Sequence, residues 1–158
     1  MPVPRWFLAG SFLSLLGCGV QGGPVPRDMY LTLSVSTTDV SVQTSINGKH
    51  NDFASSDSGA MTASIPLNQF VREGDNEVAF VLALTDSDGE PAPRFLATLE
   101  IALTGEIIDT LDPGERTIFS RALGENETGA LLAGETITIQ QEFEIDRMAL
   151  EAMKKNAP

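Results

Sequence analysis

The stretch EVAFVLALT, Glu77–Thr85, decides the fold. Val78, Phe80, Leu82 and Leu84 form one apolar row, and Ala79, Val81 and Ala83 form another on the opposite parity. Successive side chains of a strand point to opposite faces, so a run apolar on both parities predicts a central strand covered on both sides. The sequence after it carries the same period. Beyond the polar loop Asp86–Pro93, residues 94–104 place Phe95, Ala97, Leu99, Ile101 and Leu103 on one row, with Thr98 and Glu100 on the other.

Upstream, Leu31, Leu33 and Val35 alternate with Thr32, Ser34 and Ser36, and Val40, Val42, Thr44 and Ile46 alternate with Ser41, Gln43 and Ser45. Both segments read as strands, separated by a turn at Thr37-Thr38-Asp39. Asn47-Gly48 is a hairpin dipeptide. Residues 50–60, HNDFASSDSGA, read as a polar loop with Phe53 as its plug, and 61–65 as a short strand that Pro66 ends or marks as an edge. Leu67 and Phe70 are expected beneath a corner, and Glu73–Asn76 turns the chain into the central strand. Residues 106–121 suggest a minor hairpin around Asp112-Pro113-Gly114-Glu115, while 122–134 stay open between loop and broken helix. Thr136–Ile145 is the clearest strand. Ile137, Ile139, Gln141, Phe143 and Ile145 face one way, and Thr136, Thr138, Gln140, Glu142 and Glu144 the other. Asp146 then caps a terminal helix, Arg147–Lys155, in which Met148, Ala149, Ala152 and Met153 share a face near Leu150. Lys154 and Lys155 suit its negative end. This helix is the one amphipathic candidate to cover the second face of 77–85.

About seven strands and one short helix, with no long helices alternating between strands, indicate an all-β antiparallel sandwich. The corner Ile65–Val78, IPLNQFVREGDNEV, resembles one seen in many immunoglobulin-like secreted domains, where a leucine-bearing turn and a Gly-Asp-Asn loop lead into a core strand. The resemblance implies an immunoglobulin-like β-sandwich. The cysteine pair, core tryptophan and corner tyrosine of true immunoglobulin domains are absent.

The leader MPVPRWFLAGSFLSLLGC carries Arg5, then an apolar run, Trp6–Gly17, too short to span a bilayer but suited to a secretory signal. It ends in Leu15-Leu16-Gly17-Cys18, which resembles the lipobox of bacterial lipoproteins, with the bulky Leu16 as a departure. That resemblance implies cleavage before Cys18, a lipid thioether on it, palmitate labelling and a place in the cell envelope. With Gly19 rather than aspartate following, it implies the outer membrane. The expected organisation is a signal peptide at 1–17, a lipidated Cys18 with a Gly/Pro-rich tether through 28, and a sandwich domain at 29–158. Cys18 is the only cysteine, so no intramolecular disulfide forms.

The chain has 22 acidic and 10 basic residues, a formal charge of −12 at pH 7. Such a surface repels nucleic acid and favours solubility or a cationic partner. Catalytic signals are thin. His50 is the only histidine, there is no G-x-S-x-G, and no Gly-rich phosphate loop joins a strand to a helix. With residues 1–17 cleaved, the aromatics left are Tyr30 and six Phe, a poor sugar platform. Asp86, Asp88 and Glu90 in TDSDGEPAP offer alternate oxygens to Ca²⁺, although Asp-Gly there equally suits a hairpin turn. Asn126-Glu127-Thr128 is a glycosylation sequon by pattern, read as a loop. The expectation is therefore a non-catalytic, membrane-anchored sandwich that binds or scaffolds another envelope component, with a protein as the expected partner. The alternative is a sugar- or Ca²⁺-binding module.

Overall fold

A computed structural model describes residues 29–86, 89–103 and 117–154. The elements are β1 (Met29–Thr38), β2 (Val40–Ile46), β3 (Lys49–Ser56), β4 (Ala60–Pro66), β5 (Gly74–Leu84), β6 (Arg94–Leu103), β7 (Thr117–Ala122), α1 (Glu125–Leu132), β8 (Ile137–Ile145) and α2 (Arg147–Lys154). They build a β-sandwich of two antiparallel four-stranded sheets, ordered β4-β1-β6-β7 and β3-β2-β5-β8. Sequence alternation fixes which rows meet inside. Leu31, Leu33 and Val35 of β1 and Phe95, Ala97 and Leu99 of β6 face Val40, Val42 and Ile46 of β2 and Val78, Phe80 and Leu82 of β5, all buried. Ile139, Phe143 and Ile145 extend that layer from β8. The Phe80 ring meets Phe95 edge-on, with centroids 5.0 Å apart, a favoured aromatic geometry.

Asp39 alone carries the chain from one sheet to the other. It takes a left-handed conformation (φ 56°), and its carbonyl accepts the Thr85 N–H at 3.1 Å. Asp tolerates that region better than most residues. Asn47 and Gly48 both have positive φ, the two-residue turn a tight hairpin needs, and β2 pairs with β3 across it. The Asn47 amide also donates to the Phe70 carbonyl and to Asn76 Oδ1. Asn76 is buried and locks the corner ahead of β5. Its Nδ2 donates to the Arg72 and Gly74 carbonyls, and its Oδ1 accepts the Arg72 N–H at 2.9 Å. Leu67 is fully buried beneath this corner, and Phe70 packs against the core. The helix cap is also as expected: Asp146 Oδ1 accepts the Ala149 N–H at 2.7 Å.

Several expectations are corrected. There are eight strands among the described residues, and a second helix, α1, forms in 122–134. Its first turn is held by Glu127, which accepts the Gly124 N–H and pairs with Arg121, while Leu131 is buried. Residues 50–60 are not one loop: 49–56 is strand β3, carrying a bulge that sets four residues, 52–55, against Gln43. The bulge lifts Phe53 out to 77% exposure, so it plugs nothing. Residues 117–122 form β7 on β6, while 104–116, with the Pro113-Gly114 turn, lie outside the described residues. The central strand is covered on one face only. β5 sits between β2 and β8, its inner row is buried, and on its outer row Val81 is 37% exposed. Helix α2 packs against β1 instead, burying Leu150 and Met153, and the Asn68 amide donates to the Met153 carbonyl. Met148 turns outward, 71% exposed, because Leu150 and Met153, three apart, define the buried stripe.

Candidate functional site

The residues singled out for chemistry do not converge. Asp86 and Glu90 are exposed in the β5–β6 connection, and Asp88 lies outside the described residues. Asp39 lies at the same end, but its Oδ2 accepts the Ala92 N–H at 3.0 Å and so braces that loop. No group of three His, Cys, Asp or Glu placed to hold a metal occurs among the described residues. His50 lies on the exposed edge strand β3, with Nε2 2.6 Å from Asp52 Oδ1, and no serine hydroxyl bonds to it among the described residues. A hydrolytic triad needs a hydroxyl on the second ring nitrogen and a sheltered site, and neither is found around this pair. Asn126 opens a helix rather than a loop. Cys18 lies outside the described residues.

What the fold does build is two contrasting outer faces. On the first sheet, Ser64, Ser34, Thr98 and Ser120 form one rung across all four strands. Ser34 and Ser64 share a hydrogen bond at 2.8 Å, and Thr98 and Ser120 approach at 3.4 Å. Ser36 and Thr62 make the next rung, beside Leu96. A depression of about 70 Å³ opens there, lined by Val35, Ala63 and Leu96 among hydroxyls. Small-molecule sites run to roughly 300–1,000 Å³, so it does not enclose a sugar.

The outer face of the second sheet divides into two zones. Toward one end, Ala79, Val81 and Ala83 of β5 lie between Ser41, Gln43 and Ser45 of β2 and Thr138 and Gln140 of β8, with no charge. Toward the other, Glu77 lies opposite Glu142, and Asp75 opposite Glu144. Directly opposed residues on one face have Cβ atoms about 5 Å apart, so these are two adjacent like-charge pairs. Ion pairs among the described residues are His50–Asp52 and Arg121–Glu127, and none involves these four carboxylates. Arg72 and Arg147 are the nearest cations in sequence, three residues from Asp75 and from Glu144 respectively, and the Arg72 Nε donates to the Asp75 carbonyl. The alternation of β8 predicts the outward Glu142 and Glu144; their opposition to Glu77 and Asp75 depends on a register between segments over sixty residues apart.

On the opposite edge, the β3 bulge is held by side chains. Asn51 Oδ1 accepts the Phe53 N–H, Ser55 Oγ donates to the Asn51 carbonyl and accepts the Thr44 N–H, and Thr44 Oγ1 donates to the Ala54 carbonyl. Phe53 is thus an exposed aromatic on fixed backbone. Comparison with protein-family models, curated proteins and solved structures finds no match to this chain. No helix among the described residues is long and apolar enough to cross a membrane.

Proposed function

We propose that the chain is a lipid-anchored envelope lipoprotein whose non-catalytic sandwich binds or scaffolds another envelope protein. The observation that carries this reading is the position of the sole cysteine. Cys18 falls where the apolar run Trp6–Gly17 stops, and Gly- and Pro-containing sequence follows it directly. Acylation there would tie the domain to a bilayer without a spanning helix, each buried CH₂ contributing about 0.8 kcal/mol. Ten residues separate Cys18 from Met29, a reach of at most about 35 Å fully extended. The anchor would therefore hold the end of the sandwich where β1 begins and α2 packs. The opposite end, with Asp39, the β3–β4 turn and the β5–β6 connection, would project away from the membrane. A binding role is favoured over catalysis by the wide sheet faces and the exposed Phe53. The test is Cys18→Ala in cells fed labelled palmitate. The wild-type chain should label and pellet with membranes, and the variant should do neither. A variant that still labels and pellets sinks the anchor.

A further inference from the structure

We infer that the free edge of β8 docks an extended basic segment of a partner protein, which joins the second sheet as a fifth strand. Among the described residues β8 ends its sheet and pairs only with β5, in a ladder that runs unbroken from Gly74↔Ile145 to Leu82↔Ile137. Its nine residues contain no proline and no bulge, so its outer side carries a regular row of backbone donors and acceptors, the template for strand addition; the Glu142 carbonyl in that row accepts the Gln141 side-chain amide at 3.2 Å, which an added strand would displace. Two other edges are blunted: β3 is broken by its bulge and β4 finishes in Pro66.

The carboxylates name the occupant. Glu142 and Glu144 point outward from β8, with Glu77 and Asp75 directly behind them on β5. Charges that merely protect an edge from self-pairing are needed on the edge strand alone. Here the interior strand repeats them in register, although like charges directly opposite each other destabilise a sheet. A strand added to β8 would bring every second side chain beside this group, so basic residues at two alternate positions would face Glu142 and Glu144. The neighbouring positions, beside Thr138 and Gln140, meet an uncharged face. A second copy of this chain fits poorly, because β8 has no Lys or Arg and each copy carries −12. This deepens the proposed binding role and rests on it for the partner's being an envelope protein; the edge itself does not depend on Cys18.

The test uses the full chain in nonionic detergent and a fluorescent, end-blocked peptide, Thr-Val-Thr-Val-Lys-Val-Lys-Val-Thr. A second peptide has the same composition with its two lysines adjacent and its alternation scrambled. The alternating peptide should bind at least tenfold more tightly, lose affinity as salt rises, and slow amide exchange within 137–145. Affinity should fall at least fivefold in Glu142→Gln/Glu144→Gln and in Asp75→Asn/Glu77→Gln, with less than twofold change in Glu135→Gln/Glu151→Gln. Equal binding of the scrambled peptide, equal loss in the last variant, unchanged exchange in 137–145, or a dimer by sedimentation overturns the inference. The palmitate result for Cys18 stands or falls separately from each of these outcomes.

Discussion

Replacing Phe80 by Ala tests the architecture at its centre. Phe80 is fully buried on the inner row of β5, between Thr44 of β2 and Ile139 of β8, with its ring against Phe95 of the facing sheet. Removing a buried phenyl ring loses its transfer free energy and leaves a cavity that the neighbours fill only in part, about 3–5 kcal/mol. Small domains are stable by about 5–15 kcal/mol, so the loss is a large share of the total. With a urea slope of about 2 kcal/mol per molar, the unfolding midpoint should fall by about 1.5–2.5 M. Phe53→Ala is the internal control, since the same chemical change on the exposed bulge should stay within about 0.5 kcal/mol. Equilibrium urea unfolding of wild type and both variants decides the matter. A Phe80→Ala loss below about 1 kcal/mol, or equal losses at the two sites, would remove β5 from the core and undo the pairing of the two sheets.

Gly59→Ala should destabilise by at least about 2 kcal/mol, because Gly59 has φ +74° and an added Cβ would collide with Thr85 Oγ1. Adding Thr85→Ala should recover part of that loss in the urea midpoint, and no recovery would mean that the clash is not the cause. Asn76→Ala should cost about 1–3 kcal/mol in the same assay, since it strands the Arg72 amide and the Arg72 and Gly74 carbonyls at a part-buried corner. Asp146→Ala removes one exposed helix cap and should cost about 1 kcal/mol. Thermal melts that rank Asp146→Ala above Asn76→Ala would contradict the burial of the corner.

Local periodicity made most strands readable, and the failures occur where period two is interrupted or where the answer lies on a distant segment. β8 was legible because Ile137, Ile139, Phe143 and Ile145 alternate without a break against Thr138, Gln140, Glu142 and Glu144. β3 was not, because four residues of its bulge oppose one residue of β2, and Asn51, Ser55 and Thr44 satisfy backbone groups that a ladder would otherwise pair. That polar Ser/Asn composition is also the composition of a loop, so the sequence reads the same in either state. The outer row of β5 misled in the other direction. Ala79, Val81 and Ala83 are small enough to remain at the surface without a covering layer, and single exposed apolar residues are ordinary. The terminal helix therefore had no second face of β5 to cover, and its Leu150 and Met153 went to β1. The carboxylate group follows the same logic at longer range. Each strand's acids are visible in its own alternation, but only the β5–β8 register sets Asp75 against Glu144 and Glu77 against Glu142. A one-residue slip of that register would turn Glu142 and Glu144 inward and Phe143 outward, at a cost in buried apolar surface far above the repulsion between the acids. The core thus fixes the register, and the register imposes the like-charge pairs that a basic strand would relieve.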